Sequence, residues 1–150
     1  MTEKSGSVCV DASLALAWLL ADIHSIQADS LWQDWTERAI DLVAPPMFHA
    51  EVTSSLRKNV YFNHILPAEG ERLFAFYSEI PVRIIEGQEM NQKAWQLAKE
   101  FNLPVCYDMQ YLAVAELEGC ELWTLDRRLI NAVRGNKRVR WVGDYNKRPT

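Results

Sequence analysis

Hydrophobic and polar positions follow two rhythms along this chain. Five short apolar runs, Ser7-Val-Cys-Val10, Asp41-Leu-Val-Ala44, Val82-Arg-Ile-Ile85, Glu121-Leu-Trp-Thr124 and Val139-Arg-Trp-Val142, have the length and composition of buried strands. Between them the apolar residues recur every three or four positions. Leu31, Trp32, Trp35, Ala39 and Ile40 do so within 26–40, Phe48, Val52, Leu56 and Val60 within 47–60, and Ala94, Leu97, Ala98 and Phe101 within 90–101. This spacing predicts helices, and further helices are predicted over Ala12–Leu20, from Pro67 to about Glu79, over Asp108–Glu118 and over Asp126–Val133. Pro45-Pro46 stops the second strand, Pro67 takes a favoured first-turn position, and Gly119 supplies a helix stop.

Strands alternating with helices imply a parallel sheet covered on both faces, an α/β fold. No Gly/Ser- or Pro-rich stretch and no repeat divides the 150 residues, so one domain is expected over 1–150, with its core at about 7–143. A chain of this size buries roughly 68–70% of its unfolded surface, and 49% hydrophobic residues suffice for that core. The longest apolar run, Ala12 to Ala21, is too short for a bilayer, and no leader-like pattern opens the chain, so no membrane association and a cytosolic protein are expected. Cys9, Cys106 and Cys120 form no CxxC and no Cys/His ligand spacing, and read as reduced thiols.

Charge changes the picture through its distribution. The net charge is −4, yet residues 127–150 carry +7 and residues 1–126 carry −11. A basic end on an acidic body places phosphate-binding groups beside an acidic site, or else forms a solvated surface.

The acids fall where an open α/β sheet binds its ligands, outside the carboxyl ends of the strands. Asp11 ends the first strand, Asp126 follows the fourth, Asp108 begins a helix, and Glu51 lies in the helix after the second strand. Each Asp also fits a helix N-cap, worth about 1 kcal/mol, and Ser13 has the same alternative. Glu51 does not. It sits beside Val52 on the apolar stripe, where a carboxylate needs a cation or a hydrogen-bond donor, and Arg57 and Lys58 are awkwardly spaced to serve. Taken singly, capping explains the three aspartates. Taken together, four gathered carboxylates imply a hard divalent ion, Mg²⁺ or Mn²⁺, and not zinc, since of the histidines only His49 lies near them and the cysteines show no ligand spacing.

These segments resemble the PIN-domain ribonucleases, in particular the VapC-type toxins of toxin–antitoxin pairs. The likeness runs through Val10-Asp-Ala-Ser13, Ala44-Pro-Pro-Met-Phe-His-Ala-Glu-Val52 with Leu56-Arg57, Val105-Cys-Tyr-Asp-Met-Gln-Tyr-Leu-Ala-Val-Ala-Glu116 and Leu122-Trp-Thr-Leu-Asp-Arg-Arg-Leu129. Cys106, Gln110 and Trp123 depart from the family's commoner residue types. The resemblance implies a three-layer α/β/α sandwich around a five-stranded parallel sheet. It implies Asp11, Glu51, Asp108 and Asp126 as the metal-binding acids, with Ser13 and Thr124 as supporting hydroxyls. It also implies a homodimer, an RNA substrate and a cognate antitoxin.

On this reading the protein is a metal-dependent endoribonuclease, and Arg127 and Arg128 are candidates for contacts to flanking phosphates. The competing reading is a catalytically silent PIN-like module that holds RNA or protein. Other acidic phosphotransfer folds fit less well. A haloacid-dehalogenase-like phosphatase needs an Asp where Ser13 stands, a receiver domain needs a paired-acid pocket after the first strand and a lysine at the fifth, and no glycine-rich nucleotide loop occurs. Trp18, Trp32, Trp35 and Trp95 read as core or dimer contacts, and Trp141 as a core residue with base stacking as its alternative.

Overall fold

The computed structural model describes residues 6–21 and 25–145; Lys147 and Arg148, part of the basic end, lie outside them. The strands are β1 (Ser7–Val10), β2 (Asp41–Ala44), β3 (Val82–Ile84), β4 (Glu121–Thr124) and β5 (Val139–Trp141). The helices are α1 (Ala12–Leu20), α2 (Ser25–Glu37), α3 (Met47–Tyr61), α4 (Pro67–Ser78), α5 (Gln88–Glu100), α6 (Tyr107–Glu118) and α7 (Arg127–Ala132), with a single 3₁₀ turn at Val142–Asp144. All four strand pairings are parallel, in the order β3-β2-β1-β4-β5. This is the expected α/β fold with a five-stranded sheet.

The order fixes where a site can form. The chain winds outward from β1 to β3 in one direction, then crosses to β4 and β5 on the other side, so the switch point lies between β1 and β4. Right-handed crossovers put α1–α4 on one face and the α5–α6 pair on the other. There α6 packs across β1, β2 and β4 and against α5. Its run Met109 to Ala115 is buried except at Gln110, which is why that segment is apolar nearly all round. Cys9, Val10, Val43, Ala44 and Leu122 are fully enclosed, as strands covered on both faces require.

Several ends differ from the sequence pattern, for local reasons. Helix α2 stops before Ile40 because Ala39 turns left-handed at φ 51° and Ile40 N–H closes on Trp35 O at 2.9 Å. Strand β5 stops at Trp141, whose indole lies where any side chain at Gly143 would have to stand. Trp18 and Trp32 stack with ring centroids 4.4 Å apart, and Trp32 and Trp35 are buried as expected. Trp95 is not a core residue: it is 62% exposed on α5. The three cysteines are free, with Cys9 and Cys120 buried and Cys106 half-buried.

Candidate active site

Strand β1 carries Asp11 to the switch point, where its N–H donates to Trp123 O on β4 at 3.2 Å. Asp11 occupies the N-cap position of α1, yet its side chain caps nothing. The Ser13 and Thr124 hydroxyls instead donate to one of its oxygens, Oδ2, at 2.7 and 2.5 Å. Each hydroxyl also accepts from the loop after β4, Ser13 Oγ from Leu125 N–H and Thr124 Oγ1 from Asp126 N–H, both at 2.9 Å. The capping alternative therefore fails for Asp11 and Ser13: these groups lock β1 to β4. Burial raises the Asp11 pKa from 3.8 to about 6; the two hydroxyl bonds oppose this, and the charges of Glu51 and Asp126 add to it.

Glu51 projects from the second turn of α3. Its partner is neither Arg57 nor Lys58 but Tyr111, whose hydroxyl donates to Oε1 at 2.7 Å from a position 1% exposed on α6. Burial raises the Glu51 pKa, the Tyr111 bond lowers it, and Asp108 and Asp126 raise it further. The site thus contains a residue that sequence reasoning passed over. The signal was present: Tyr111 lies three residues after Asp108 at the head of the apolar run Leu112-Ala-Val-Ala115, and a buried tyrosine hydroxyl needs a partner.

Asp108 is the second residue of α6, on the exposed rim, and caps nothing. Its pKa rises first through partial burial and then through Asp126, while Arg128 pulls it down. Asp126 does cap. Its Oδ1 accepts from Arg128 N–H at 2.9 Å and Leu129 N–H at 3.4 Å, opening α7, and the Arg128 Nε lies 3.8 Å from the same oxygen.

A regularity follows. On Asp11, Glu51 and Asp126 the bonds fall on a single oxygen, and among the described residues the second oxygen of each, with both of Asp108, takes no protein donor. The four acids are near enough to perturb one another's protonation, yet among the described residues no three His, Cys, Asp or Glu side chains close tightly enough to enclose an ion as they stand. Like charges spread apart unless a cation draws them together. The donor set itself, carboxylate oxygens alone, is the one hard divalent ions take.

The two arginines after Asp126 diverge. Arg128 stays with the acids, whereas the Arg127 guanidinium lies over the Trp141 ring, 4.3 Å from its centroid. His49 is exposed and bonds the Tyr77 hydroxyl. The surface hollows lined by Arg57, Tyr61 and Phe74 and by Trp35, Ile80 and Pro81 lie away from the acids. No helix among the described residues is long and apolar enough to cross a membrane.

Comparison with known proteins meets the same residues. A sequence profile of the PIN domain matches residues 8–135, a span that includes all four acids. Over 122 residues, 81% of this chain and 87% of the relative in each case, the chain is 30% identical to a VapC ribonuclease of Mycobacterium bovis and to ribonuclease VapC9 of Mycobacterium tuberculosis. Among solved structures, a chain of a toxin–antitoxin complex from Klebsiella pneumoniae aligns with TM-score 0.64 at 19% identity, covering 89% of this chain and 95% of that one. A protein from Pyrobaculum aerophilum aligns with TM-score 0.58 at 21% identity, covering 91% and 90%. The structural matches establish the fold; the profile and the relatives at 30% identity go further, and the chain belongs to the PIN-domain family, among the VapC ribonucleases.

Proposed function

We propose that this protein is a Mg²⁺- or Mn²⁺-dependent endoribonuclease, the toxin of a toxin–antitoxin pair, acting as a homodimer in the cytoplasm and restrained by a cognate antitoxin. The observation that carries the reading is the division of labour within each carboxylate: one oxygen of Asp11, Glu51 and Asp126 is tethered by the protein and the other is left for something else. Hydrogen bonds that hold one oxygen of a carboxylate orient the other ahead of binding. The relatives at 30% identity are ribonucleases by name, and the Klebsiella neighbour comes from a toxin–antitoxin complex.

Asp11 and Asp108 are assigned as direct metal ligands, Asp126 as a ligand through water, and Ser13 and Thr124 as the hydroxyls that hold Asp11 in orientation. A bound divalent ion supplies charge stabilisation for the phosphate and a more acidic water at neutral pH. Glu51, with a raised pKa and its Oε1 held by Tyr111, orients the attacking water and accepts its proton. The water oxygen bonds to phosphorus, the P–O3′ bond breaks in line with its electron pair going to O3′, which takes a proton from solvent, and the products carry 5′-phosphate and 3′-hydroxyl ends. Arg128, beside Asp126, contacts a phosphate next to the one attacked on this reading, which its nearness to Asp126 supports.

The decisive assay uses purified protein and end-labelled RNA. Cleavage is expected with Mg²⁺ or Mn²⁺, none with EDTA, and a loss of more than about a hundredfold for Asp108→Asn with the fold intact by circular dichroism. Cleavage that survives chelation, or an Asp108→Asn protein that cuts like wild type, sinks the metal assignment; a folded wild type that cuts no RNA under any metal supports the silent module instead. Light scattering tests the homodimer.

A further inference from the structure

Arg127 is the site-side cation that the acids do not use. It is exposed, takes part in no ion pair among the described residues, and sits on the indole of Trp141 at 4.3 Å. Trp141 closes β5 in register with Thr124, the residue whose hydroxyl holds Asp11. Paired positions in neighbouring strands present their side chains to the same face, so Trp141, with Arg127 on it, stands one strand spacing, roughly 4.8 Å of backbone, from Thr124 and two from the strand that carries Asp11, at the same end of the sheet. Gly143 leaves room for the indole to lie against the 3₁₀ turn, since a side chain there would collide with the ring. The rest of the described basic segment, Arg134, Lys137, Arg138 and Arg140, follows in the same stretch of chain.

A guanidinium has two flat faces and a fork of donors at its edge. Trp141 takes one face through a cation–π contact, which restrains a side chain that otherwise loses much freedom on binding. The second face, on an exposed residue, is left for another π system. We infer that Arg127, backed by Trp141, forms a nucleotide subsite beside the proposed cleavage point: an unstacked base of single-stranded RNA lies on the guanidinium and the N–H fork reaches its phosphate. The inference rests on the ribonuclease reading for the word "cleavage", but the binding itself does not. The ligand class follows from the chemistry, because bases inside a duplex are already stacked and have no free face to offer.

The test is fluorescence anisotropy with a labelled single-stranded oligoribonucleotide of mixed sequence in EDTA, with a blunt RNA duplex as competitor. Arg127→Ala is expected to weaken binding about tenfold, the scale of one lost stack, and Arg127→Lys to recover only a minor part of it, since lysine keeps the charge without the plane. Trp141→Leu should cost a similar factor, Trp141→Phe less, and the double variant Arg127→Ala/Trp141→Leu no more than the worse single one. Duplex RNA should compete poorly. Arg72→Ala on α4, which removes an equal charge from an exposed Glu69 pair, sets the baseline for charge alone. Full recovery in Arg127→Lys, or an Arg127→Ala protein no weaker than Arg72→Ala, overturns the subsite. Should Trp141→Leu misfold, the two Arg127 variants still decide. Failure of the parent reading looks different: wild type would cut nothing while Arg127→Ala still lost binding, whereas a failed subsite leaves cleavage intact and binding unmoved.

Discussion

The two ends of the sheet treat acidic residues in opposite ways. At the amino end, Asp41 at the start of β2 and Glu118 at the end of α6 meet Arg83 on β3, whose guanidinium donates to Asp41 Oδ2 at 2.8 and 3.0 Å and to Glu118 Oε2 at 2.9 Å. The charged guanidinium is favoured there, chiefly by the bonds to Glu118 and Asp41, and its pKa is pushed upward. At the carboxyl end four acids gather, Arg128 is the described basic residue that acts on them, and three of them, Asp11, Glu51 and Asp108, are pushed toward the neutral form. Among the described residues one cluster is tied together by a shared guanidinium, while the other has only the loose contact of Arg128 to Asp126. A fold built only for stability would treat both ends as it treats the first; under the proposed function the second is left for a cation and a substrate that come from outside.

The contrast breaks most visibly at Asp11. Asp11→Asn keeps the shape and can still accept from Ser13 and Thr124, while losing the charge. Under the proposed mechanism RNA cleavage should fall more than about a hundredfold. Stability in EDTA at pH 7.5 should rise, because a buried charge that costs desolvation is gone. Cleavage assays and thermal melts on the same preparation check both. An Asn variant that is less stable as well as inactive would mean that Asp11 is structural, like the acids at the other end.

The pH dependence of that difference gives its sign and size. With a folded pKa of about 6 and an ordinary value of 3.8, folded Asp11 holds a proton that the unfolded chain has released across this window. The unfolded state binds fewer protons there, so stability falls as pH rises from about 4 to about 6 and stays lower above. At 1.36 kcal/mol per unit the Asp11 contribution is about 3 kcal/mol as an upper figure. The advantage of Asp11→Asn over wild type should therefore be small at pH 4, grow to pH 6 and then level off. Mg²⁺ should shrink it at pH 7.5 by binding wild type more tightly. An advantage independent of pH would show that the Asp11 charge is not what the substitution relieves.

Sequence pattern located every strand and helix to within a few residues because the code there is local: period, proline, glycine and apolar run length. The four acids were legible as positions for the same reason, since strand ends set where side chains emerge in a parallel sheet. Their partners were not legible. Asp11 bonds across more than a hundred residues to Thr124, and Glu51 across sixty to Tyr111. Spacing along one helix had offered Arg57 and Lys58 for Glu51, and only the tertiary fold, which brings Tyr111 of α6 within hydrogen-bond reach of Glu51 on α3, could replace them. Capping misread Asp11 for a related reason: a residue at an N-cap position can turn its side chain away when two hydroxyls from elsewhere compete for it. Asp126, whose bonds are local, behaved as the pattern said.

Tyr111 sharpens the comparison at a smaller scale. Arg83 offsets the charge of its acids, whereas Tyr111 only aims one, so Tyr111→Phe should leave folding nearly unchanged and cost activity about tenfold, the low end for losing a partner that orients a metal ligand. A pure packing role predicts no change in metal affinity. The positioning role predicts weaker Mn²⁺ binding, measured by titration of the electron paramagnetic resonance signal, and a cleavage–pH profile shifted upward, since the bond that lowers the Glu51 pKa is removed. Unchanged Mn²⁺ affinity with an unchanged profile would leave Tyr111 as core alone.

The smallest expected effect lies at the amino end. Arg83→Met removes the guanidinium while keeping its apolar stem, and leaves Asp41 and Glu118 without it. Arg83 is 46% exposed, so solvent already screens much of the attraction, and the loss should be at most about 1 kcal/mol, or a few degrees in thermal melting. RNA cleavage per folded molecule should not change, because Arg83 sits at the end of the sheet opposite the four acids. High salt should narrow the stability gap between Arg83→Met and wild type, as it does for exposed pairs. The informative outcome is the separation of the two readouts: a variant that melts earlier and cuts normally shows that this cluster serves the fold, while a loss of cleavage without a loss of stability would show that the two ends of the sheet are not independent and that the contrast between them is false.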